Sequence, residues 1–200
     1  MGSLRNEKIR IEGEIIYLKP LGEKNATKEY CGWLNDPGAN QYLETKEATI
    51  AGLKKYIEEK NKNPNCLFLG IFFKENQKPH TSSTTSRTAW DRHIGNIKLE
   101  PIDFKNRKAT AGILIGNKDY WGRGIGTEAM KLLVDYGFKY LNLKEINLGV
   151  LSQNKAAIRV YEGVGFKVKR IDKKSVHHSQ KLYNTILMSI KNKKNNRQKK

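Results

Sequence analysis

The run Trp121-Gly122-Arg123-Gly124-Ile125-Gly126 sets three glycines at alternate positions just ahead of the clearest helical pattern in the chain. Glycine lets a backbone turn tightly and approach a ligand with no side chain in the way. The first amides of a helix have no internal partner and sit at the positive end of its dipole, so main-chain hydrogens can hold a phosphate there. Arg123 and Lys118 would add charge at the rim. Two familiar glycine signatures do not fit. A dinucleotide loop needs a third glycine where Gly124-x-Gly126 is followed by Ala129, and a nucleoside-triphosphate loop needs Gly-Lys-Ser/Thr. A glycine-rich turn with no ligand stays open as the plainer reading.

The elements around this loop follow from periodicity. Residues 9–21 alternate around Gly13 as a bent strand or hairpin. A helix over 25–35 starts at Asn25 as its cap, and a second covers 49–62, with Ile50, Leu53, Tyr56 and Ile57 on one face. Residues 66–74, 93–100 and 108–115 read as strands, with a hydroxyl-rich flexible loop at 78–91. Over 124–141, Ile125, Ala129, Leu132, Leu133, Tyr136 and Tyr140 form an apolar stripe opposite Glu128, Lys131, Asp135 and Lys139. A strand at 145–151, a short helix from Asn154 to about Glu162 and strands at 166–171 and 181–190 complete the order. A right-handed crossover makes the strands at 108–115 and 145–151 a parallel pair. The loop between such strands is where an open α/β sheet receives its ligand.

Together, Tyr120-Trp121-Gly122-Arg123-Gly124-Ile125-Gly126-Thr127-Glu128-Ala129 and Asn154-Lys155-Ala156-Ala157-Ile158-Arg159-Val160-Tyr161-Glu162-Gly163-Val164-Gly165-Phe166 resemble the two signatures of the GNAT superfamily of N-acetyltransferases. The first looks like the branch with Trp at its first position, which holds ribosomal-protein, spermidine, antibiotic and nucleotide-sugar enzymes. The resemblance spans about 9–190 and implies one α/β acetyltransferase domain. Its fold would be a mixed, mostly antiparallel sheet of about seven strands flanked by about four helices, with a splayed parallel strand pair. It implies that Trp121, Gly122, Arg123, Gly124, Ile125, Gly126 and Thr127 cradle the pyrophosphate of acetyl-coenzyme A. Ile113, Leu114 and Ile115 would meet the acetyl carbonyl and the pantetheine arm. Asn154 would reach that arm, although Asn also serves well as a plain helix N-cap. Tyr161 would protonate the departing thiolate, since a phenol near pKa 10 and a thiol near 8.5 are close enough for transfer. A core role for Tyr161 stays open, because Ala157, Val160, Tyr161 and Val164 share one helical face.

The implied reaction is direct attack of a neutral amine on the thioester, helped by proximity and by amides near Ile115. Many family members keep a carboxylate on the strand before the coenzyme loop. Here that strand, 108–115, has no acid. Glu100 on the preceding strand is the first candidate base, through a water, with His93 and Glu44 behind it. No Cys–His pairing or metal-ligand cluster points to a covalent acyl-enzyme or a metal.

Composition sets the outer limits. The chain is 38% hydrophobic and carries 17 glycines, which is globular rather than disordered usage. Its longest apolar run, 66–73, is far short of a membrane span, and two unmotivated cysteines suit a reducing cytoplasm. The formal charge is +18, of which residues 191–200 supply six positive charges as a disordered basic tail. A basic body favours an anionic acceptor and repels a polyamine. Residues 33–44 fall where the family builds its acceptor wall and resemble enzymes of surface-polysaccharide pathways. The expected acceptor is therefore the primary amine of a small-molecule or nucleotide-linked amino sugar. The alternatives are a protein N-terminus of ribosomal type and, in another class, an inactive coenzyme- or RNA-binding module. Nucleic acid is expected only at the tail, membrane contact is not expected, and the protein is read as a monomer or homodimer.

Overall fold

The computed structural model describes residues 9–40, 47–74, 92–178 and 181–193. Glu44, the 78–91 loop and all but the first three residues of the tail lie outside them. The strands are β1 (Ile11–Glu12), β2 (Ile16–Pro20), β3 (Leu67–Phe73), β4 (Arg92–Asp103), β5 (Lys108–Ile115), β6 (Glu145–Leu151), β7 (Lys167–His178) and β8 (Lys181–Lys191). The helices are α1 (Lys28–Asn35), α2 (Ile50–Lys62), α3 (Ile125–Lys139) and α4 (Lys155–Val164). One eight-stranded sheet runs in the order β1-β2-β3-β4-β5-β6-β8-β7. Every neighbouring pair is antiparallel except β5 and β6. The count exceeds the expected seven because a turn closed by Gly13 N–H on the Ile16 carbonyl (3.0 Å) cuts the first segment into a hairpin.

Alternation along β2, β3 and β4 feeds two cores, one on each face of the sheet. Ile16, Leu18, Leu67, Leu69, Ile97 and Leu99 point to α3 and α4; Tyr17, Phe68 and Phe72 point to α1 and α2. The stripe of α3 is rotated slightly from the sequence expectation. Met130 and Val134 are buried with Ile125, Ala129 and Leu133, whereas Tyr140 is exposed, because it lies just past the helix end. Gly137 lets α3 lie close on the sheet, since a Cβ there would stand 3.0 Å from Ile146 Cδ1.

The caps explain where helices begin. Thr27 rather than Asn25 caps α1, accepting from Tyr30 N–H at 3.1 Å, while Asn25 accepts from Gly22 N–H at 2.9 Å and closes the 3-10 turn before it. Thr49 caps α2 through Gly52 N–H at 3.1 Å. α4 ends on Gly165 at φ 109°, a left-handed stop that glycine takes without penalty. β4 runs further than 93–100 because Pro101 falls in an irregularity between Leu99 and Ile102, where no ladder donor is required.

Candidate active site

The parallel pair separates after three rungs. β5 and β6 are in register at Lys108–Glu145, Ala109–Ile146 and Thr110–Asn147, and no further. Beyond that point β5 stays on β4 through Gly95–Ile115, and β6 stays on β8 through Leu151–Thr185. A cleft therefore opens between Ala111–Ile115 and Leu148–Leu151. Which backbone groups line it follows from Gly95, where a Cβ would stand 2.2 Å from the Leu114 carbonyl oxygen. Leu114 thus turns its backbone to β4, and by alternation Ile113 and Ile115 turn theirs to the cleft. The expected set of three is split: Ile113 and Ile115 offer main-chain groups to the opening, whereas Leu114 sits opposite Asn96 on the α1/α2 side.

The chain leaves β5 through Gly116, where a Cβ would fall 2.3 Å from the Trp33 ring. A 3-10 turn over Lys118–Tyr120 leads to Trp121. The indole Nε1–H of Trp121 donates to the Ile115 carbonyl at 2.8 Å. Trp121 therefore ties the glycine loop to the end of β5, a role its sequence position alone did not reveal. It leaves the Ile113 N–H and C=O and the Ile115 N–H facing the cleft.

Gly122 and Gly124 take φ of 74° and 78°, the left-handed region that an L side chain resists. A Cβ at either would meet nothing within 4 Å, so the turn is open rather than plugged by protein. Glu128 N–H bonds to Gly124 O at 3.0 Å and starts the α3 ladder. The amides of Arg123, Gly124, Ile125, Gly126 and Thr127 bond to no acceptor among the described residues. Five outward donors at the head of a 15-residue helix make an anion cradle. A carboxylate one turn in would oppose an anion, but Glu128 Oε1 is turned away to accept from Ile15 N–H at 3.1 Å and Ile16 N–H at 3.4 Å. Arg123 is exposed at the rim, its guanidinium 5.3 Å from the Tyr120 ring centroid. Lys118 is not a rim charge; its ammonium bonds Asp36 at 2.6 Å and holds the turn to the segment after α1.

α4 closes the side of the cleft. Val160 lies 3.7 Å from the Cβ position of Gly126, an ordinary contact distance, so the two helices meet at the cradle. Asn154 Oδ1 accepts from Ala157 N–H at 3.1 Å, which realises the cap reading, while its Nδ2 donates to no described residue. Tyr161 is 7% exposed and packs on Phe166. Burial pushes its phenol up to about 12. Its hydroxyl has no hydrogen-bond partner among the described residues, yet the sealed unpartnered atom among them is Asn61 Oδ1. The Tyr161 hydroxyl therefore keeps an opening to solvent.

The other face shows how the two candidate bases among the described residues are held. Glu100 accepts from Lys60 at 2.6 Å and from Lys98 at 2.8 Å. Burial raises its pKa, but the two ammonium hydrogen bonds outweigh that and hold it below the usual carboxylate value. It also lies between the rungs at Ala111 and Ala109, roughly 15 Å along the sheet from Ile115 at about 3.3 Å per residue. A carboxylate so placed is held between two ammonium groups. His93 stands among Tyr30, Trp33 and Phe72, with centroids 5.5, 5.2 and 5.1 Å away, and its Nε2 meets Asn96 Oδ1 at 3.0 Å. Burial lowers its pKa, so it is neutral at physiological pH. Among the described residues, no three His, Cys, Asp or Glu side chains are grouped to hold a metal, and no helix is long and apolar enough to cross a membrane.

Residues 16–167 match the acetyltransferase (GNAT) domain family. The chain is 31% identical over 178 residues to the probable N-acetyltransferase YjcK of Bacillus subtilis (strain 168), covering 83% of this chain and 88% of that protein. Among solved structures, spermidine N-acetyltransferase from Vibrio cholerae in complex with CoA and spermine superposes with a TM-score of 0.76 at 19% identity, covering 90% of this chain and 96% of that one. The microcin C7 self-immunity acetyltransferase MccE in complex with acetyl-CoA and AMP gives 0.72 at 20% identity, with 90% and 94% covered. The splayed strands and open helix terminus are thus the parts of a known architecture: the chain belongs to the GNAT family of N-acetyltransferases, and its acyl donor is acetyl-coenzyme A.

Proposed function

We propose that the enzyme moves the acetyl group directly to the primary amine of a small-molecule or nucleotide-linked amino sugar. In this reading the amides of Arg123, Gly124, Ile125, Gly126 and Thr127 hold the coenzyme pyrophosphate, and Ile113 pairs with the pantetheine arm as an added strand. The Ile115 N–H, left free when Trp121 takes the carbonyl, is the donor positioned for the developing oxyanion. Tyr161, neutral at every physiological pH, donates to the leaving sulfur. With Glu100 and His93 committed elsewhere, the amine enters unprotonated and proximity carries much of the acceleration.

The observation that carries the acceptor class is the state of the acids on the α1/α2 face. Glu29, Asp36 and Glu100 are carboxylates on that face, and each is ion-paired. They face Arg92 at 3.5 Å, Lys118 at 2.6 Å, and Lys60 with Lys98. A polyamine needs uncommitted acids; an anionic acceptor needs surplus cations. The Vibrio cholerae neighbour holds spermine and the microcin neighbour holds AMP, so the shared fold accommodates either kind of ligand.

The test is a mass-spectrometric product search with acetyl-coenzyme A and a panel of nucleotide-linked amino sugars, free amino sugars, spermidine and an N-terminal ribosomal peptide. Acetylation of the amino sugars is the expected outcome. Acetylation of spermidine or peptide with the amino sugars untouched would overturn the reading.

A further inference from the structure

The sheet face opposite the cradle carries polar groups that the fold does not use up. Asn96 is 5% exposed and stands directly across from Leu114, one strand from the reacting end of β5. Its Oδ1 meets His93 Nε2, but its Nδ2, with two N–H donors, bonds to no described residue. That nitrogen is not sealed, since the buried unpartnered atom among the described residues is Asn61 Oδ1, so its donors open to solvent on this face and can turn to a ligand. Two residues along the same face, Lys98 stands across from Gly112. Its Cε is 3.6 Å from the Gly112 Cβ position, an ordinary contact distance, so the lysine stem lies over β5. Lys98 and Lys60 share Glu100, which leaves that trio with one positive charge in excess. The Lys98 side chain is 34% exposed, half-buried rather than fully solvated.

The coenzyme reaches the cleft from the α3 side, so the amine must approach from this one. We propose that Asn96 and Lys98 form an acceptor subsite, in which Lys98 takes an anionic group of the substrate, such as a phosphate ester, and Asn96 Nδ2 donates to an oxygen between that group and the reacting amine. From Lys98 to the Ile115 register is three residues, roughly 10 Å at about 3.3 Å per residue. That is the scale of one sugar ring with its phosphoester link. The assignment rests on the amino-sugar reading and adds the residues that select it.

The test uses uridine diphosphate as the anionic probe, titrated into full-length enzyme already saturated with coenzyme A so that the pyrophosphate cradle is filled. The wild type should bind it. Lys98→Met should weaken binding by about ten- to hundredfold, the range for one lost hydrogen bond to a charged group. Lys98→Arg should stay within about threefold, since the charge is kept. In turnover, Lys98→Met should raise KM for a uridine-diphosphate-linked amino sugar, with KM unchanged for acetyl-coenzyme A and for the uncharged amino sugar. Asn96→Ala should raise KM for both sugars. No binding of the diphosphate to the wild type, or equal loss by charged and uncharged sugars in Lys98→Met, would overturn the subsite. If the diphosphate binds through Lys98 while only spermidine or peptide is acetylated, the subsite stands and the amino-sugar reading falls.

Discussion

At the scale of single residues, Tyr161 and His93 show the same physics with opposite consequences. Burial keeps the Tyr161 phenol protonated up to about 12, so at working pH its O–H can face the sulfur as a hydrogen-bond donor and is a weaker acid than a free phenol. Tyr161→Phe should lower kcat by about a hundredfold or more, typical for a lost general acid. Coenzyme affinity, read by isothermal titration, should barely change, and unchanged turnover would remove the assigned role. His93 refuses a proton that the unfolded chain accepts near pH 6.5. Its folded pKa is depressed, so its contribution to stability is present above about 6.5 and is lost as pH falls toward the folded value. Thermal unfolding should therefore show the enzyme weakening between pH 7 and pH 5, and His93→Gln should flatten that slope. Glu100, also depressed, adds a loss of the same sign at lower pH, below the ordinary carboxylate range. The glycine loop could be read from residue types alone, because positive φ at Gly122 and Gly124 is a demand few other residues meet. The ion pairs of Glu100 were hidden for an equally physical reason. A strand position gives the face a side chain takes but not the cations that α2 lays across it, and Lys60 is forty positions away in sequence.

Elements decide how stiffly these residues are held. The anion cradle is the bare end of α3, yet its position comes from a clasp between Glu128 and the β1–β2 turn, 113 and 112 residues away. Gly13 belongs to the same clasp, since a Cβ there would overlap Glu128 Oε1 at 2.2 Å. Glu128→Ala leaves two amides without their acceptor and should cost about 0.5–1.5 kcal/mol of stability by denaturant unfolding. It should also weaken coenzyme binding, because the helix end is freer to shift. Glu128→Gln keeps an acceptor and should recover most of both. Loss of coenzyme affinity with no change in stability would mean that Glu128 acts on the ligand directly instead. The helices themselves were legible from their apolar spacing, but the caps were less so. Asn is if anything the better capping residue, yet the helix starts at Thr27, which accepts from the N–H of the buried Tyr30.

On the scale of the whole molecule, the single parallel pair follows from the order of patterns along the chain and the sheet bears it out, whereas the place of β8 between β6 and β7 was not legible there. How far β5 and β6 stay together does not follow, since it depends on what each finds on its outer side. Three rungs hold the pair, while longer ladders with β4 and β8 pull the two strands apart. That arrangement gives the protein an unfinished seam in the middle of its sheet, where other proteins keep their most protected backbone. Amide hydrogen exchange should report it: Ile113 and Ile115 should exchange early in the free enzyme and slow markedly once coenzyme A is present. Ligand at a hundred times its Kd should add about 2.7 kcal/mol to global stability by mass action. An exposed inner edge is also a template for another strand. Cellular coenzyme levels would then govern the lifetime of the enzyme as well as its rate, because coenzyme-starved protein carries its own aggregation site.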